Sequence, residues 1–294
     1  VTTPAVLSSS FRTASGVHLA VHDWGGDGDP VLLAHPTGFH GRVWAPVAAR
    51  LVAQGRRVWS FDFRGHGDSD PAPHGSYAWA GFADDARAVA DHLGIAGHPA
   101  LLGAGQSKGA AALLLGEIDA PGTYPRVWAF EPIVFPSEEP LEPTDDNPMS
   151  RGARRRRATW DSRAQVAASY AARPPLDVFT PDTLAAYVDY GFRDLPDGQV
   201  TLKCLPEDEA RVYAMGSANG LYAQLGAIAV PVLVACGDET DAIRPRLAAD
   251  VAARLPHGRV EVWAGRGHFG PQQDPDQAVA SMLRFAAGAG TPTA

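Results

Sequence analysis

Ser107 stands between two glycines in Gly105-Gln106-Ser107-Lys108-Gly109, directly after a short apolar run. A serine hydroxyl is a poor nucleophile until a neighbouring base takes its proton. The chain must therefore also supply a histidine, and a carboxylate to fix that histidine's tautomer. His268 in WAGRGHFGPQQDP is a candidate base, and Asp238, Glu239 and Asp241 in ACGDETDAIRP are candidate acids. Small residues around the serine permit a sharp strand–turn–helix that exposes its oxygen. Such a turn also sets the oxygen at a helix N-terminus, where backbone N–H groups face developing negative charge. One oxyanion donor is then the N–H of Lys108, and a second is expected from the loop HPTGFHGRVW.

These residues need elements to hold them. VHLAVHDW (17–24) alternates apolar and polar positions and reads as a strand, and PVLLAH (30–35) reads as a buried one. A helix with a glycine stop is expected over 42–55, a strand over 56–63 and an amphipathic helix over 77–94. A strand over 98–105, a helix from 107 to about 117 and a strand over 126–135 follow. This alternation predicts a mostly parallel sheet covered by helices. It breaks at the Pro- and acid-rich FPSEEPLEPTDDNP (135–148), after which helices and loops dominate, with QVTLKCL as the one strand candidate. Alternation resumes at VPVLVACGD (230–238) and runs to a C-terminal helix. The reading is one α/β core, residues 1–134 and 227–294, carrying an inserted helical segment, residues 135–226.

Composition narrows the function classes. With 294 residues and a net charge of −8, the chain can bury a sizeable core and is a poor candidate for nucleic-acid binding. Cys204 and Cys236 are far apart and outside any Cys/His cluster, which argues against zinc or a disulfide framework and for a reducing, cytoplasmic setting. No apolar run approaches a membrane span, and VTTPAVLSSSF lacks the basic-then-apolar pattern of a leader.

Four signatures fall in order: His35-Pro36-Thr37-Gly38, DFRGHGDSD (62–70), GQSKG around Ser107 and GRGHFGP around His268. In these the chain resembles the α/β-hydrolase superfamily, the branch with a helical cap. The resemblance implies an eight-stranded sheet with the cap inserted after the sixth strand, and a Ser107–His268–acid triad. Its acid-to-proline spacing fits Asp241 and Pro245, so Asp241 is the expected acid, with Asp238 as competitor. Glu131 is a lesser candidate because some members carry the acid at that strand end. Pro36 stands where the family has Gly and cannot donate an N–H, so Thr37 becomes the expected second oxyanion donor, with Phe39 as the alternative. Lys108 stands where the family is apolar. Its ammonium is read either as an internal partner of Glu131 or a GDETD acid, or as an anchor for a substrate carboxylate.

His35 is expected to brace its own loop and His66 to be structural. Arg154–Arg157 reads as a solvated face, or as a positive rim for anionic substrates. Phe39, Lys108, Glu131 and Phe269 are the candidate substrate contacts. The activity expected is hydrolysis of a small carboxylic ester through an acyl-enzyme, an aromatic or anionic monoester suiting Lys108, with no metal or organic cofactor. The alternatives on the same scaffold are a carbon–carbon bond hydrolase, a lactonase, a cofactor-free perhydrolase and a binding protein that has lost turnover. The expected partner is a small molecule, not nucleic acid or membrane, and Pro-rich edges offer a way to form a homodimer.

Overall fold

The computed structural model describes residues 6–139 and 141–288; the first five residues of the segment read for a leader, Pro140 of the acidic linker and residues 289–294 at the end of the core lie outside them. The chain opens with β1 (Leu7–Arg12), β2 (His18–Gly25) and β3 (Pro30–Ala34), then α1 (Ala45–Ala53) and β4 (Arg57–Phe61). It continues through α2 (Trp79–His92), β5 (Leu102–Gln106), α3 (Lys108–Asp119) and β6 (Arg126–Phe130). An insertion follows: α4 (Pro148–Arg154), β7 (Thr159–Trp160), α5 (Arg163–Ala171), α6 (Pro181–Gly191), β8 (Phe192–Asp194), β9 (Val200–Leu202), α7 (Pro206–Ala214) and the short α8 (Leu221–Gln224). The core closes with β10 (Val232–Gly237), α9 (Pro245–Arg254), β11 (Gly258–Trp263), α10 (Gly270–Gln273) and α11 (Pro275–Ala286).

Eight strands form one sheet in the order β1-β2-β4-β3-β5-β6-β10-β11. The β1–β2 and β2–β4 pairs are antiparallel and the other pairs parallel. This is the α/β-hydrolase fold that the four signatures imply. The two apolar faces of the sheet are covered separately: α2 and α3 pack with Leu32, Phe61 and Val127, while α1 and α11 pack with Leu33, Val58 and Trp128. β3 and β5 are buried along their whole length, which is why they read as continuous apolar or small-residue runs rather than alternations.

Two features differ from the sequence reading. The strand β1, LSSSFR, was not legible, because its residues are mostly exposed on an edge of the sheet and carry no apolar alternation. The insertion also holds a small antiparallel sheet, β7-β9-β8, of which the sequence pattern predicts only β9, within QVTLKCL. Strands of two and three residues are too short to leave a period in a sequence.

The topology places the site. β4 lies on one side of β3 and β5 on the other, so the strand order reverses between β3 and β5. At such a switch point the loops leaving the strands' carboxyl ends diverge and open a crevice. Ala34 is level with Gly105, and Gln106 with Phe130. The loop after β3, Ser107 and Glu131 therefore emerge side by side.

Candidate active site

Ser107 is the single residue between β5 and α3, with φ 55° and ψ −120°. That backbone conformation is costly for a residue with a Cβ and persists only where its surroundings enforce it. Here a Cβ at Gly105 would lie 2.7 Å from the Ala110 Cα, and one at Gly109 would collide with the Ala34 carbonyl oxygen. The two glycines thus let α3 close onto β3 and β5. The Ser107 N–H donates to the Phe130 carbonyl at 2.9 Å and its carbonyl accepts from the Ile133 N–H at 3.3 Å, clamping the turn to the end of β6.

His268 follows β11, and its Nδ1 lies 2.7 Å from Glu131 Oε2. Glu131 is fully buried, at the end of β6, with φ 44°. Its Oε1 accepts from the Gly237 N–H at 3.0 Å and its Oε2 from the Thr240 hydroxyl at 2.8 Å. An ionised carboxylate only accepts, so His268 Nδ1 carries the proton and Nε2 keeps its lone pair. Gln106 ties the two loops together: its Nε2 donates to the His268 carbonyl and its Oε1 accepts from Gln272 Nε2, both at 2.7 Å.

This corrects the expected acid. The Asp241 side chain is 99% exposed and pairs with Arg244 at 3.1 Å. Asp238 accepts from the Gly265 N–H, bracing the loop after β11. Residues 240–243 wrap around Glu131 instead of supplying the carboxylate, and Glu131, with both oxygens occupied, is not a substrate contact.

Lys108 needs a second correction. Its side chain is 0% exposed and runs beneath the turn, with Nζ 3.4 Å from His66 Nε2 and 4.2 and 4.8 Å from the ring centres of Phe63 and Phe82. It meets neither Glu131 nor the GDETD acids, and its ammonium is directed inward, not held out for a substrate carboxylate. Burial pulls its pKa down to about 7, against the opposing pull of the Asp85 and Asp62 carboxylates. His66 Nδ1 donates to the Arg64 carbonyl at 2.9 Å, which leaves Nε2 to accept from Lys108. Burial, then the Lys108 charge, holds both His35 and His66 well below the ordinary histidine range. Arg64 in turn is gripped by the fully buried Asp85 through its Nε at 2.9 Å and Nη2 at 2.7 Å.

The loop after β3 faces Ser107. His35 Nε2 accepts from the Phe63 N–H at 3.1 Å, so its Nδ1 carries the proton and donates to the Pro36 carbonyl at 2.8 Å. In a planar trans peptide the N–H points opposite to the C=O. Fixing the Pro36 carbonyl therefore fixes the direction of the Thr37 N–H, which has no protein acceptor among the described residues. The Phe39 N–H turns back to the Pro36 carbonyl at 3.4 Å, which favours Thr37 over Phe39 as a donor. The Lys108 N–H opens α3, where first-turn N–H groups lack intrahelical acceptors.

Phe39 packs on Phe179, Tyr187 and Phe269 with ring centres 6.0, 4.9 and 5.5 Å away, and Phe269 packs on His268 at 5.3 Å. Of the expected substrate contacts, Phe269 thus stands against the histidine and Phe39 against Phe269. Phe179 and Tyr187, from the insertion, join them. Among the described residues no three His, Cys, Asp or Glu side chains gather so as to hold a metal ion, and no helix is long and apolar enough to cross a membrane. Both cysteines are buried and free.

Residues 31–282 match the sequence model of the alpha/beta hydrolase family. The protein of Mycobacterium tuberculosis named "Putative non-heme bromoperoxidase BpoC" is 28% identical over 288 residues, covering 92% of this chain and 97% of its own. Among solved structures, E-2-(acetamidomethylene)succinate hydrolase superposes with a TM-score of 0.79 at 20% identity, covering 97% of this chain and all of the other. The thermophilic esterase from Thermogutta terrifontis gives 0.72 at 20% identity over 97% of this chain and 100% of the esterase. The enol-lactonase from Burkholderia xenovorans LB400 gives 0.69 at 20% identity over 95% and 100%. At these identities the structural likenesses establish the fold alone.

Proposed function

The chain belongs to the alpha/beta hydrolase family, and from that premise we propose that it is a serine hydrolase acting on a carboxylic ester through a Ser107–His268–Glu131 triad. The observation that carries the reading is the 2.7 Å contact of His268 Nδ1 with the buried Glu131, beside a serine held on a strained strand-to-helix turn. His268 Nε2 takes the Ser107 proton as Oγ attacks the acyl carbon, and Glu131 stabilises the imidazolium. The Thr37 and Lys108 N–H groups hold the oxyanion. Collapse of the tetrahedral intermediate expels the alcohol, which takes its proton from His268, and water deacylates Ser107 with His268 as base. Residues 135–226 act as a cap on the core of residues 1–134 and 227–294. The rings of Phe39, Phe179 and Phe269 favour an apolar or aromatic substrate group over an anionic one. Two free, buried cysteines are in keeping with a cytoplasmic setting.

The test is an aryl-ester panel together with a fluorophosphonate, whose fluoride an activated serine displaces to leave a stable phosphonyl adduct on its oxygen. Turnover and a single adduct on Ser107, both lost in Ser107→Ala, are expected. An unlabelled wild-type protein that turns over no ester would remove the reading. A second reading is favoured by the bromoperoxidase name of the Mycobacterium tuberculosis relative. If hydrogen peroxide rather than water deacylates Ser107, the product is a peracid, which oxidises bromide. Bromination that requires a carboxylic acid, peroxide and Ser107 would support it.

A further inference from the structure

Of the four consecutive arginines, Arg154 pairs with Glu207 and Asp145, and Arg157 lies over Trp160 and bonds the Thr159 carbonyl, as outward-facing charges do. Arg156 turns inward. Its Nη1 is paired with Glu209, a carboxylate with a side chain only 6% exposed. Its Nη2 donates to the Tyr187 hydroxyl at 2.8 Å and reaches the Tyr170 hydroxyl at 3.4 Å. A guanidinium only donates, so the Tyr187 oxygen accepts from it and its own proton is directed elsewhere. That proton goes to the Gly38 carbonyl, 3.3 Å away. The Tyr187 backbone carbonyl accepts from His40 Nε2 at 3.1 Å. The fit over Gly38 is close: φ is +78°, and a Cβ there would collide with the Glu209 carboxylate.

Gly38 is the residue after Thr37. The peptide before Thr37 is fixed from the core by His35, and the peptide after Gly38 is fixed from the insertion by Tyr187. A largely buried ion pair adds little net stability over apolar side chains of the same size, so its orientation of partners is the more economical account.

We propose that Tyr187 and Arg156 are positioning residues for the oxyanion loop, so that the loop reaches its working geometry only while the insertion is docked on it. The proposal rests on the serine-hydrolase reading for its catalytic consequence, but not for the pinning of the loop. Tyr187→Phe keeps the ring in its aromatic cluster and removes only the bridge. Hydrogen exchange of the amides of residues 37–41 is expected to accelerate about tenfold, as for a segment that has lost a tether. With an aryl ester, kcat is expected to fall roughly tenfold, less than for loss of a direct oxyanion donor, with KM within about twofold. Affinity for phenylboronic acid, which forms a tetrahedral adduct on an active serine, should fall by the same factor as kcat. Arg156→Met combined with Glu209→Gln, which removes both charges together, should reproduce the exchange result and decides the matter should Tyr187→Phe fail to fold. Unchanged exchange in a folded variant overturns the proposal, and so does a rise in KM with kcat intact. Should the wild-type protein hydrolyse no ester, faster or unchanged exchange alone decides whether the loop is pinned from the insertion.

Discussion

Glu131 closes an apolar strand, and a carboxylate there is tolerable only if its charge is met. The Gly237 N–H, the Thr240 hydroxyl and His268 meet it. Glu131→Gln keeps the volume but cannot hold His268 as an Nδ1–H donor in the same way, and leaves the imidazolium without a counter-charge. We expect kcat to fall roughly 10³- to 10⁴-fold, the scale set by removing the acid of a serine triad. Asp241→Asn, at a solvated carboxylate paired with Arg244, is expected to leave kcat within about twofold. Steady-state kinetics of both variants on one aryl ester checks this; a large loss in Asp241→Asn with little in Glu131→Gln would reverse the assignment. The placement of Ser107 on the turn after β5 and of His268 after β11 was legible because each sits in a short motif with its own turn chemistry. The acid was not, because three strand-end acids compete within one loop and the fourth lies on a different strand. A signal for Glu131 was nonetheless present: it is the lone acid closing the apolar run of Val127–Phe130, and a buried acid there demands partners.

The elements that carry the site meet through backbone approaches that side chains would block. α3 touches the end of β3 at Gly109, where an added Cβ would meet the Ala34 and His35 carbonyl oxygens. Neither backbone can yield without shifting a fully buried strand. Gly109→Ala is expected to cost about 2 kcal/mol or more, in the range of overpacking, seen as a lower denaturant midpoint with an unchanged m-value. A midpoint equal to wild type would mean that α3 can slide on the sheet. The same packing explains what the sequence disclosed about the elements. Strands buried on both faces and helices with an apolar stripe leave strong patterns, so the core alternation was legible. β1 and the small sheet of the insertion are specified by pairing partners distant in sequence, and a local pattern does not record those. Lys108 has the same origin. Its partners Phe63, His66 and Phe82 come from the loop after β4 and from α2, and only the folded arrangement shows that the lysine points into the core.

At the scale of the molecule, buried bases make stability depend on pH in two separate windows. Burial lowers His40 to about 4 and holds His35 and His66 well below the ordinary range. In the unfolded chain these histidines bind protons below about 6.5, whereas the folded chain leaves them neutral. The unfolded state then carries more protons, so stability falls as pH drops through that window and is level above it. Lys108 acts higher. Its folded pKa of about 7 lies under an unfolded value of 10.5, so the folded state gives up its proton first and stability climbs from pH 7 upward. Buried Cys204 and Cys236 work in the opposite direction once unfolded thiols ionise near pH 9, burial having raised both in the folded state, Cys236 to about 12. The lysine is therefore isolated between pH 7 and 8.5. Each pH unit is worth at most about 1.4 kcal/mol for one group, so the wild-type protein should gain up to roughly 2 kcal/mol across that interval. Lys108→Met keeps an apolar stem among Phe63 and Phe82 without the charge. It should be more stable than wild type at pH 7, lose the climb to pH 8.5, and retain the loss of stability below pH 6.5 that belongs to the histidines. Urea unfolding at pH 5, 7 and 8.5 separates the windows. A climb from pH 7 to 8.5 that survives in Lys108→Met would show that the ammonium is balanced where it lies. Its contacts with His66 and the two rings would then offset the full cost of burying it.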